Sequence, residues 1–117
     1  MRLSYDEEGD VLEVIFDERR HRAQAPKRSF KLRLGIILYL AADTLQPIQL
    51  TLVSYRGLAQ FPVINFDGWA KLSKADKALL MPILNSPAIS AFFRLDPKTG
   101  NGHISSPDMF EILPAAA

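Results

Sequence analysis

Charged side chains are the main chemical resource of this sequence, and they are segregated along it. Seven of the 14 Lys and Arg residues fall between positions 19 and 33 (Arg19, Arg20, Arg22, Lys27, Arg28, Lys31 and Arg33), with no acid among them. Seven of the 13 acids stand just before: Asp6, Glu7, Glu8, Asp10, Glu13, Asp17 and Glu18. A basic run of this kind can hold phosphates, tracking a nucleic-acid backbone without reading bases. Arg19, Arg20, Arg22, Lys27 and Arg28 are the candidate anion contacts. The competing account is internal neutralisation. If the strand ending near Asp17 pairs antiparallel with the one starting at Arg28, the two sets face each other, each opposite-charge pair contributing about 0.2–1 kcal/mol. The net charge is only +1, which gives no overall pull toward polyanions. Neutralisation is the favoured account.

Other chemistries find less support. The chain has no Cys, hence no disulfide framework, thiolate metal site or Cys nucleophile. Its two His, His21 and His103, lack paired ligand spacing. Asp96 to Gly102 faintly resembles a calcium loop, but Lys98 and Gly100 stand where oxygen side chains are needed, so a Gly-containing turn is expected. The acids on the 6–10 turn are crowded and solvated, unlike the separated, protected pair of a glycosidase. Phosphate-loop, nucleophile-elbow and dinucleotide patterns are missing. No cofactor and no metal are expected, and an enzyme is the weakest of the functional readings because no nucleophile, base and orienter come together.

These residues must be positioned by elements of two kinds. The first half reads in strand period: Leu3 and Tyr5; Leu12, Val14 and Phe16; Phe30, Leu32 and Leu34; Ile36, Leu38 and Leu40; then Ile48, Leu50 and Leu52. Asp6 to Asp10 and Asp43 to Pro47 supply turns. The second half changes period. Ser73 followed by Asp76 predicts a helix from about Lys74, with Leu72, Ala75, Leu79, Leu80, Ile83 and Leu84 on one face and a bend or split at Pro82. Ser86-Pro87 opens a short helix to about Phe92, and strand, turn and strand follow from Arg94 to Ser105. The expected fold is α+β: an antiparallel meander of about five strands over residues 2–54, then two or three short helices packed on one face. All 117 residues form one domain, with a short β-hairpin in the second half and a frayed tail at 114–117.

Tyr5-Asp6-Glu7-Glu8-Gly9-Asp10-Val11-Leu12 resembles the opening of a family of small bacterial domains of unknown function, which begin Tyr-Asp, three variable residues, then Asp-x-Leu-Tyr. The resemblance covers residues 4–54. Here Glu13 stands in place of the final Tyr, and Gln49 and Thr51 replace a usual Gly and acid. The resemblance implies a small β-rich unit, some of whose relatives look like partners of small toxins; it supplies no catalytic residues.

Two further groups bear on function. Tyr55, Phe61, Phe66 and Trp69 cluster between sheet and helix; their apolar neighbours point to core packing rather than a base-stacking platform. On the sheet face away from the helices, Ile37, Tyr39, Val53 and Tyr55 would project together as an apolar patch. Either residues 57–69 fold back over it, or a second subunit covers it. The favoured function is thus a non-catalytic protein-interaction module, self-associating as a homodimer or binding a small partner protein. The alternative is a nucleic-acid-binding protein using segment 19–33. The longest near-apolar run, 35–42, is far below the ~18 residues of a membrane span, and the acidic opening is unlike a signal peptide. A cytoplasmic location with no membrane partner is expected.

Overall fold

The structure, a computed structural model, describes residues 1–105. The expected frayed tail at 114–117 lies outside the described residues. In chain order the elements are β1 (Arg2–Asp6), β2 (Val11–Ile15), α1 (Glu18–Arg22), β3 (Lys27–Arg33), β4 (Ile36–Ala41), β5 (Pro47–Val53), α2 (Tyr55–Ala59), β6 (Ile64–Asn65), α3 (Asp67–Ala70), α4 (Lys74–Leu84), α5 (Pro87–Ser90), β7 (Phe93–Leu95) and β8 (Asn101–Ile104). The fold is α+β, with a five-stranded antiparallel sheet in the first half as the alternation predicted.

The strand order is β1-β2-β5-β4-β3, which is not a simple meander. Strands β3, β4 and β5 are joined by hairpins, and β2 lies beside β5, giving a Greek-key arrangement. Local chemistry explains the detour. Asp17 caps α1 by accepting the Arg20 amide at 3.0 Å, and this helix, packed against β5, carries the chain from β2 to the opposite edge. The segregated charges therefore never face each other as a β2–β3 pair. That expectation is corrected: β2 pairs with β1 and β5, and among the described residues β3 pairs only with β4.

The inner sheet face is aliphatic, with Leu12 opposite Leu52, Val14 and Leu38 both opposite Leu50, and Phe30 opposite Leu38. These residues form one cluster with Trp69, Leu80, Leu84 and Ile89 from the helices, all buried. Ser73 accepts the Asp76 amide at 3.1 Å and begins α4 at Lys74, as its sequence predicted. Pro82 does not split α4, which continues to Leu84. Standing in the last turn, it removes only one late intrahelical bond.

Leu34 departs from the predicted inward row, being 79 % exposed. The register shifts between Lys31 and Arg33, and this bulge turns the end of β3 outward. A second sheet, β6-β8-β7, closes the other side of the core, where Phe66 stacks on Phe93 at 5.5 Å. Phe61 stays 58 % exposed on the loop before it and is not the core residue its neighbours suggested.

Candidate interaction surfaces

The register fixes which side chains share the outer sheet face. One row runs Ile15, Gln49, Tyr39, Ser29, and the next runs Glu13, Thr51, Ile37, Lys31. Val53 pairs with Val11 and stands diagonally from Ile37 on the same face. Tyr39, Ile37 and Val53 thus form a diagonal apolar line, the first two half-buried and Val53 39 % exposed. At its end Val53 donates to the Gly35 carbonyl at 2.7 Å, next to exposed Leu34.

Tyr55 does not belong to this surface. It was expected to continue the strand alternation, but Ser54 adopts a left-handed conformation (φ 58°) and ends β5. The turn sends Tyr55 into the core as the first residue of α2, 0 % exposed and edge-on to Tyr5 at 6.1 Å. Residues 57–69 do not fold back over the outer face either. Phe66 and Trp69 join the inner cluster, and Phe61 and Val63 remain exposed. The Arg33 guanidinium donates to the Asn65 carbonyl at 2.7 Å and ties the β3–β4 turn to the segment carrying Phe61 and Val63. The exposure of Leu34, Phe61 and Val63 had no counterpart in the sequence reading. A bulge and an irregular loop decide it, and neither carries a period.

The basic segment is divided between two places. On α1, Arg20 bonds Asp43 at 2.7 Å and approaches Asp17 at 3.5 Å, while Glu18 receives Arg22 at 3.6 Å and Arg2 at 2.7 Å. The Arg20 bond and the Thr44 amide hold the Asp43 carboxyl below the usual range. On β3, Arg28 bonds Asp76 of α4 at 3.2 Å and lies over the Phe30 ring at 5.1 Å. Arg20, Arg22 and Arg28 are therefore engaged with acids. Arg19 and Lys27 are exposed, with no ion pair among the described residues. Neutralisation occurs partly through two of the expected acids, Asp17 and Glu18, which meet Arg20 and Arg22 within α1 and its cap rather than across strands, and partly through Asp43 and Asp76.

A polar clasp is built on Tyr5 and Asp10. Asp10, at φ 53°, accepts the Tyr5 hydroxyl at 2.7 Å and the amides of Arg56 and Gly57 at 2.9 and 3.2 Å. It supplies the cap that Ser54 does not give α2. Arg56 completes the group over the Tyr5 ring at 4.7 Å. Burial raises the Asp10 carboxyl's pKa, but the Arg56 amide, the Tyr5 hydroxyl, the Gly57 amide and the Arg56 charge outweigh it and leave it below the usual range. Burial, then the Asp10 bond and charge, push Tyr5 up to about 12. Neither group is poised to exchange a proton near neutral pH.

The calcium-like loop is a hydrogen-bonded turn. Asp96 accepts the Lys98 amide at 2.9 Å, and the Pro97 carbonyl accepts the Trp69 indole N–H at 3.0 Å. Among the described residues no three His, Asp or Glu side chains gather as a metal site, and no helix is long and apolar enough to cross a membrane. Compared with family models, with curated proteins and with solved structures, the chain finds no match in any of the three.

Proposed function

We propose that this chain is a non-catalytic protein-interaction module, and that its contact surface is the outer sheet face with a second copy of the chain as partner. The observation that carries this reading is the diagonal line of Tyr39, Ile37 and Val53. Of the segment that could have covered it, Phe66 and Trp69 are engaged in the inner core. Contiguous apolar surface on a soluble domain commonly marks a contact, and a twofold dimer needs only one self-complementary patch. Light scattering at micromolar concentration tests it. A mass twice the chain's 13.1 kDa is expected, and Tyr39→Asp should halve it while leaving the far-ultraviolet circular dichroism unchanged. A monomeric mass for the unaltered chain overturns self-association.

A further inference from the structure

The five-stranded sheet has a second surface of different character at the β3 edge. The Ala42 amide bonds the Pro26 carbonyl, and in this register Arg28 and Phe30 exchange bonds with Leu40 and Leu38. The main-chain groups of Lys27 and Ser29 therefore point away from β4, toward an edge where no strand is paired among the described residues. Farther along, the edge is closed. A Cβ on Gly68 of α3 would lie 2.1 Å from the Lys31 carbonyl oxygen, so helix and strand backbones are in contact there. Between the open part of β3 and the α3–α4 corner lies a cleft of about 550 Å³, lined by apolar Phe30 and Leu72, by Lys31 and Lys71, and by the acids Asp67 and Asp76 on the helix side.

Charge and pleat together describe what would fit. Lys27, Ser29 and Lys31 project to the outer face, and Arg28 and Phe30 to the inner. Lys27, Lys31 and Lys71 are exposed and have no acid partner among the described residues. Arg28 is already held by Asp76. A second copy of β3 would set lysine against lysine, which blocks self-pairing at this edge. We propose that the β3 edge accepts an extended partner segment in which acidic and apolar residues alternate, added as a sixth strand along Lys27–Lys31. Its acids meet Lys27 and Lys31 on the outer side. Its apolar residues enter the cleft against Phe30 and Leu72, and Gly68 of α3 sets where it stops. The outer-face dimer is not required for this binding.

The test is fluorescence anisotropy of the full chain with a labelled, blocked octapeptide alternating Glu and Val. Saturable binding is expected, weakening as salt rises from ~50 to ~200 mM. The Lys-Val counterpart should bind at least about tenfold more weakly. Ser29→Pro removes the outward amide without touching a bond to β4, and should weaken Glu-Val binding by about tenfold or more. If Ser29→Pro fails to fold by circular dichroism, Lys31→Glu, an exposed change, decides the matter by the same criterion. Val53→Asp, on β5 with β4 between it and the edge, should leave the affinity unchanged, which separates this edge from the outer face. Equal binding of both peptides, undiminished binding by folded Ser29→Pro, or by Lys31→Glu, or no saturable binding of the Glu-Val peptide would each overturn the proposal.

Discussion

Asp10 shows how much one residue can hold. Its two carboxylate oxygens receive a side-chain hydroxyl and two helix amides, joining the first hairpin to α2 across 46 positions of sequence. Because its folded pKa is depressed, the clasp stabilises fully above the ordinary aspartate value near ~3.9, and this contribution is lost as pH falls through the folded value. Tyr5 works in the opposite direction. Its value is raised to about 12, so its contribution is complete below the ordinary ~10 and is lost as pH rises toward the folded value. Asp10→Asn keeps a residue that tolerates positive φ but loses the charge-assisted bonds, and should cost about 1–3 kcal/mol at neutral pH. Urea melts across pH should show both limbs in the unaltered chain, with the acid limb reduced in the variant; identical profiles would discount the clasp. The sequence marked both residues, as part of a resemblance, while their bond depends on a hairpin register and a left-handed turn that no periodicity encodes. Tyr55 teaches the same lesson. Its alternation was sound to Val53, and the Ser54 conformation then reversed its side.

At the level of strands and helices, intervals were readable and neighbours were not. The 27–33 alternation placed Phe30 and Leu32 inward correctly, and Leu32 is fully buried. Leu32→Ala should therefore cost about 2–5 kcal/mol, measured as a lowered unfolding midpoint. Ser73 and Asp76 marked the start of α4 for a local reason, an amide met by a hydroxyl three residues away. The short helices α1 and α2 carry no apolar period long enough to detect, and their caps come from Asp17 and from distant Asp10. Two glycines separate contact from propensity. Gly57, inside α2, has room for a methyl, its Cβ position being 3.7 Å from Asp10 Oδ2; Gly57→Ala should stabilise by about 0.5–1 kcal/mol. Gly68→Ala would press a methyl into the β3 backbone and should destabilise by about 1–3 kcal/mol. Thermal unfolding of the two variants should shift in opposite directions, and a common sign would contradict the tight α3–β3 approach.

Taken whole, the molecule disperses a charge pattern that looks concentrated in sequence. Arg20 reaches Asp43, Arg28 reaches Asp76, and Glu18 holds both Arg2 and Arg22, so the basic run is split between α1 and the β3 edge. Phosphate tracking needs cations in a continuous, unoccupied row. Anisotropy titration with duplex DNA at ~150 mM salt should therefore show only weak association, little changed when Arg19, Arg20 and Arg22 are neutralised together. A tight complex lost in that triple variant would restore the nucleic-acid reading. The outcome was hidden in the sequence because strand order decides it. Had β2 paired with β3, the adjacent acids would have met the bases directly.

The central position of β5 has a consequence for synthesis. As the chain is made, β1–β2 and β3–β4 can each close as a local hairpin, but β2 and β4 share no partner until Pro47–Val53 has emerged. Two half-sheets with bare aliphatic faces must wait for the strand that joins them, and longer for the helices that cover it. Chain elongation at ~5–20 residues per second leaves that surface open for seconds, the interval in which a nascent chain is captured by a chaperone or aggregates.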